Sequence, residues 1–107
     1  MAKELSICDL LDIYSPLLSE KKRRFLELYY YDDLSLSEIV ENEGGSRQGA
    51  QDMIKRAGKE LTNMEEALHI LENSKKRSAL YKSLKQAVLE GNLKKTEEII
   101  TVLEEIN

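Results

Sequence analysis

Residues 34–61, LSLSEIVENEGGSRQGAQDMIKRAGKEL, hold two helix-forming runs separated by a glycine pair, and no other stretch restricts the fold as strongly. Ser35 followed by Glu38 is a capping-box signature, in which the hydroxyl and the carboxylate reciprocally satisfy amides left free at a helix start. The helix it opens is short and turns Leu36, Ile39 and Val40 inward. Gly44-Gly45 supplies the backbone freedom of a sharp turn, and Ser46 caps the helix that follows.

Placed on a wheel at about 100° per residue, that second helix divides cleanly. Arg47, Gln48, Gln51, Asp52, Lys55 and Lys59 fall in one arc, and Ala50, Met53, Ile54, Ala57 and Leu61 in another. One face packs and the other is free to read. This is the helix-turn-helix arrangement, whose second helix enters the DNA major groove. Arg47 suits a guanine edge, Gln48 an adenine edge and Lys55 a phosphate, with Gln51 and Lys59 beside them. The Ser46 hydroxyl and the first free amides can also meet a phosphate.

Upstream residues read as a scaffold for this pair. ELSICDLLDIYS gives a first helix with Leu5, Cys8, Leu11 and then Ile13 or Tyr14 at helical spacing, ended by Pro16. Cys8 on that apolar face reads as a buried small hydrophobe, since no activating base accompanies it. Ser19 caps a second helix ahead of Glu20. Its apolar side is Phe25, Leu28 and Tyr29 with Leu26 at the margin, and Lys21, Lys22 and Arg24 fall mostly opposite. Tyr29, Tyr30 and Tyr31 cannot share one buried face, so at least one hydroxyl is expected in solvent.

Downstream, the stripe continues through Met64, Leu68 and Leu71 and then loses phase, which predicts a bend or restart near Asn73-Ser74. Leu80, Leu84, Ala87 and Val88 mark a further helix, Gly91-Asn92 closes it, and Leu93, Thr96, Ile99, Ile100, Leu103 and Ile106 define a last one. The two form a hairpin. The expected division is 1–61 for the helix-turn-helix module with its N-terminal helices and 62–107 for a helical extension. That extension either folds back on the module into one compact unit or supplies a dimer interface.

A chain of 107 residues suits one core, and a composition rich in Leu, Ile, Glu and Lys with one Pro and no Trp favours an all-α fold. The single cysteine excludes an internal disulfide, no secretory leader pattern opens the chain, and the apolar runs are too short to span a membrane. A soluble cytoplasmic protein is expected. The net charge of −4 argues against coating nucleic acid by bulk electrostatics, which leaves local patches at 21–24, 55–59 and 75–77. Each of these serves a phosphate or simply solvates a helix face.

No constellation for catalysis emerges. The glutamate pairs 65–66, 97–98 and 104–105 point to different sides of their helices, and no glycine-rich phosphate loop follows a strand. His69, the only histidine, sits among acids and reads as a surface residue; no metal or cofactor is expected.

The stretch LSEKKRRFLELYYYDDLSLSEIVENEGGSRQGAQDMIKRA resembles the helix-turn-helix of bacterial sigma-factor region 4, and more closely the small YlxM family. The likeness covers about residues 5–72 and is strongest at Leu28-Tyr29-Tyr30, Asp33-Leu34-Ser35-Leu36, Glu38-Ile39, Ser46-Arg47-Gln48, Asp52 and Ile54-Lys55-Arg56. It implies a sigma-70 region 4-like module of the winged-helix-like DNA-binding superfamily with a helical tail. It also implies a non-enzymatic accessory or regulatory protein associated with the signal recognition particle pathway. Partners under this likeness are duplex DNA, signal recognition particle RNA through Lys21, Lys22, Arg24 and Lys55, or a targeting-pathway GTPase. The chain departs from such modules at Gly45, where an aliphatic residue usually plugs the turn, and at Gly49 and Gly58 within the reading helix. Each interior glycine costs about 0.8–1 kcal/mol relative to alanine.

Overall fold

Residues 6–106 are described by the computed structural model, and among them there are six α-helices and no strand. The element on which the first half is built is α4, Arg47–Leu68. Its residues Ala50, Ile54, Ala57 and Leu61 recur at helical spacing and are at most 2% exposed. Against that stripe pack α1 (Ser6–Tyr14), α2 (Glu20–Leu26) and α3 (Leu36–Glu43). Burying four such side chains, with Leu11, Leu26 and Ile39 at 0% exposure from the facing helices, supplies the hydrophobic driving force for this unit.

The first helix buries Leu11 and Tyr14 as predicted, but Ile7 and Leu10 join them where Cys8 was expected. Cys8 is partly exposed and free, so it is not the buried hydrophobe expected. Leu5 lies outside the described residues. Pro16 acts as predicted: α1 ends at Tyr14 and the chain passes through a single 3-10 turn, Ser15–Leu17. The Tyr14 ring is 1% exposed, and its hydroxyl donates to Glu65 Oε1 at 2.6 Å, tying α1 to the far end of α4.

Ser19 caps α2 by accepting from the Lys22 amide. The helix then widens into a π-helical turn, Glu27–Tyr31, where the Asp32 amide reaches back to the Glu27 carbonyl at 3.0 Å. An extra residue in the turn advances the side chains by less than 100° per step, which a 3.6-residue wheel does not anticipate. Leu26, placed at the margin by the sequence, is fully buried beside Phe25 and Tyr29, and Leu28 is only half-buried. Tyr29 enters the core with its ring edge-on to Tyr30, centroids 5.0 Å apart. Tyr31 faces solvent, as one of the three had to, and its hydroxyl donates to Asp12. Partial burial together with that hydrogen bond raises the Tyr31 pKa far above the ordinary tyrosine value.

Helix α3 opens on the predicted capping box: the Ser35 amide donates to Glu38 Oε1 and the Glu38 amide to Ser35 Oγ, both at 3.1 Å. It ends at Gly44 and Gly45, whose φ angles of +83° and +85° lie where a side chain would be strained. Ser46 then caps α4, its hydroxyl accepting from the Gly49 amide at 3.0 Å.

The chain divides into two compact units, Met1–Leu68 and His69–Asn107. The break between α4 and α5 (Ile70–Leu89) falls at His69, which adopts the left-handed conformation with φ 55°, and not at Asn73-Ser74. Helix α4 accordingly runs seven residues past Leu61. In the second unit α5 pairs with α6 (Leu93–Glu104). Gly91, at φ +70°, makes the reversal that Gly91-Asn92 predicted, and Asn92 also caps α6 by accepting from the Lys95 amide at 3.0 Å. Ala87 and Ile99 are the buried centre of this pair, with Leu80, Leu84, Thr96, Leu103 and Ile106 half-buried around them.

Candidate nucleic-acid interface

Three features of sequence and packing place the candidate surface. The stripe through Ala50, Ile54, Ala57 and Leu61 fixes the rotation of α4 about its axis, so the residues on its other side point outward. The glycine turn sets the angle at which α3 delivers the chain to α4. The Ser46 cap satisfies an amide at the first turn and leaves the N-terminal end of α4 open to solvent.

Arg47, Gln48, Asp52, Lys55 and Lys59 are exposed and Gln51 is half-buried, so the structure brings the six residues of the predicted reading face together on one side of α4. Arg47 sits at a junction. It lines one depression with Leu36, Ser46, Gln48 and Gln51, and a second with Tyr29, Leu34, Ser35 and Glu38 at the start of α3. Arg47 thus borders two shallow depressions at the N-terminal ends of α3 and α4. Among the described residues no ion pair holds Arg47, Lys55 or Lys59. Asp52 accepts from Gln48 Nε2 at 3.1 Å, which occupies the amide proposed for an adenine edge.

The basic run of α2 does not join this face. Lys22 Nζ lies 2.6 Å from Glu60 Oε1, Arg24 pairs with Glu43, and Arg23 Nε is 3.6 Å from Glu27. Glu60 projects from α4 roughly opposite the reading face, by about 150° on the wheel. Lys21 lies over the Phe25 ring, 5.9 Å from its centroid. Sequence reasoning could not foresee these acidic partners, because Lys22 and Glu60 are 38 positions apart and Arg24 and Glu43 are 19. Exposed pairs of this kind contribute about 0–1 kcal/mol each, so their main effect is to neutralise the cluster. The first unit as a whole has nine Lys and Arg against fourteen Asp and Glu. Any phosphate contact it makes has to be local.

The turn glycines shape the flank of the site. No heavy atom lies within 4 Å of where a Cβ would stand on Gly45. In place of an aliphatic plug there is a notch lined by Lys21, Phe25, Gly44, Gly45, Gly49 and Met53. His69 is exposed and its Nδ1 lies 3.0 Å from Glu72 Oε2, so it stands on the surface, at the helix break. Among the described residues no cluster of His, Cys, Asp or Glu could hold a metal ion, and no helix is long and apolar enough to cross a membrane.

Comparison with known proteins agrees with this architecture. Residues 1–105 match the family UPF0122, described as "Putative helix-turn-helix protein, YlxM / p13 like". A UPF0122 protein of Halalkalibacterium halodurans is 41% identical over 105 residues, covering 98% of this chain and 94% of the relative. One from Staphylococcus epidermidis is 38% identical over 106 residues, covering 99% and 94%. One from Clostridium botulinum is 47% identical over 74 residues, covering 69% and 68%. With a helix-turn-helix in its first unit and relatives along its whole length, the chain belongs to the UPF0122, YlxM/p13-like helix-turn-helix family.

Proposed function

We propose that the protein is a cytoplasmic, non-enzymatic nucleic-acid-binding accessory of the signal recognition particle pathway, acting through the outer face of α4. The observation that carries this reading is the row of exposed Arg47, Gln48, Lys55 and Lys59 with half-buried Gln51 among them, running from the first turn of a capped helix. In this reading Arg47 reaches a base edge or phosphate, and Lys55 and Lys59 follow the backbone. Duplex DNA and signal recognition particle RNA are its two candidate polymers. A homodimer would present two such faces to paired half-sites.

The test is a binding titration of duplex DNA, signal recognition particle RNA and an unrelated RNA at about 50 mM and about 200 mM salt. It compares wild type with Arg47→Ala/Lys55→Ala. The double variant is expected to lose about ten-fold or more in affinity and to flatten the salt dependence by one to two contacts. Unchanged binding to every polymer would overturn the reading.

A second reading has its own observation in the acidic excess of the first unit and the neutralised α2 cluster. Here the module is a protein-interaction adaptor that docks on a targeting-pathway GTPase and has lost base reading. It predicts capture of that GTPase by the full chain, insensitive to salt and to the α4 substitutions.

A further inference from the structure

Of the three basic clusters in the sequence, 75–77 lies on neither the α4 face nor α2. Helix α5 contains Lys75, Lys76, Arg77, Lys82 and Lys85 and a single acid, Glu72. At about 100° per residue Lys75, Lys82 and Lys85 fall in an arc of about 80°, with Ser78 inside it and Ser74 and Tyr81 along one edge. All six are exposed, Tyr81 by 55%. Glu72 lies about 60° outside the arc and is already engaged, 3.5 Å from Lys76 and 3.0 Å from His69. Among the described residues no ion pair holds Lys75, Lys82 or Lys85. Three of the four cations of α2, Lys22, Arg23 and Arg24, have carboxylate partners and the α4 face contains Asp52, whereas this stripe contains no acid.

We infer that this α5 stripe is a second binding surface, which takes an unpaired, single-stranded segment of nucleic acid. Lys75 to Lys85 spans about 15 Å along the helix, enough to follow several consecutive phosphates of one strand. The Ser74 and Ser78 hydroxyls add hydrogen bonds to phosphate oxygens. Tyr81 stands beside the lysines and is 55% exposed, and stacking on its ring requires a base that is not paired within a duplex. A membrane surface fits less well. The exposed aliphatics of α5 stand at its two ends, Ile70 at one and Val88 and Leu89 at the other, about 27 Å apart, and no exposed aliphatic band joins them. An acidic peptide would use the lysines and leave the tyrosine without a role. The inference stands on α5 alone and does not depend on the α4 reading.

The test uses the full chain with a fluorescent unpaired oligouridylate, a duplex DNA and vesicles of mixed phosphatidylserine and phosphatidylcholine. Wild type is compared with Lys75→Gln/Lys82→Gln/Lys85→Gln, Tyr81→Ala and Arg47→Ala/Lys55→Ala. The substituted α5 side chains are exposed, so circular dichroism is expected to be unchanged. The triple variant should bind the oligouridylate about ten-fold or more weakly and reduce the salt slope by about two. Tyr81→Ala should weaken it about five-fold or more, and the triple variant should lose more of this binding than the α4 variant does. Strand binding that survives the triple substitution overturns the inference. So does a loss confined to the vesicles, or a Tyr81→Ala variant that binds as wild type. If the α4 variant loses its polymer while the triple variant loses nothing, the α5 inference falls and the α4 reading stands. In the converse pattern the α5 inference stands and the α4 reading falls.

Discussion

Helices α4 and α5 are similar in length, 22 and 20 residues, and differ in almost everything that packing decides. Four residues of α4 are at most 2% exposed because three other helices close over one side of it. In α5 only Ala87 is buried, since α6 alone pairs with it within its unit. A helix held by three neighbours has a fixed rotation, so its free face is a defined surface. A helix held by one leaves Ile70, Tyr81, Val88 and Leu89 each more than 40% exposed. By this contrast the first unit holds the proposed reading face at a rotation set by three neighbours and the second holds the proposed strand-binding face by one, and the following substitutions break or sharpen it.

The largest effect is expected from Leu61→Ala. Its side chain is 0% exposed at the centre of α4, and its removal should cost about 2–5 kcal/mol in urea denaturation. Leu84→Ala, at a half-buried position of α5, should cost distinctly less; equal losses would erase the contrast. Next comes Tyr14→Phe, which removes the hydroxyl donated to Glu65 and should cost about 1–2 kcal/mol in the same measurement. Ser46→Ala removes the α4 cap and should cost about 1 kcal/mol, with faster amide hydrogen exchange confined to the first turn. The smallest effect has the opposite sign. A Cβ on Gly58 would meet Ile7 at 3.9 Å, an ordinary contact, so Gly58→Ala should stabilise by up to about 1 kcal/mol. A loss of stability there would mean that α1 and α4 approach more closely than the structure has them.

Local chemistry explains which parts of the fold were legible in the sequence. The caps at Ser19, Ser35 and Ser46, the glycine turn and the Gly91-Asn92 reversal each depend on residues within a few positions of one another, and all form as read. The α4 wheel was legible because the helix is long and regular. The exchange of Leu26 and Leu28 was not, because which side of α2 is covered depends on the helices that pack on it and not on its own spacing. The break at His69 was hidden because a left-handed histidine carries no composition signal comparable to glycine. Within the candidate site, the residues of the α4 face were assignable from spacing alone. The neutralisation of Lys22 and Arg24 was not, since their partners Glu60 and Glu43 are brought in only by tertiary packing. The α5 stripe was half visible: Lys75 stood out within the 75–77 cluster, whereas Lys82 and Lys85 line up with it only once the helix is continuous.

The central claim is that the outer face of α4 contacts nucleic acid, and backbone amide chemical shifts of the full chain, titrated with duplex DNA and with signal recognition particle RNA at low salt, test it most directly. The account predicts that shifts begin at Ser46, Arg47 and Gln48 and continue through Gln51, Lys55 and Lys59, while the buried positions Ile54 and Leu61 move little. Titrations with both polymers that leave residues 46–59 unmoved would contradict it.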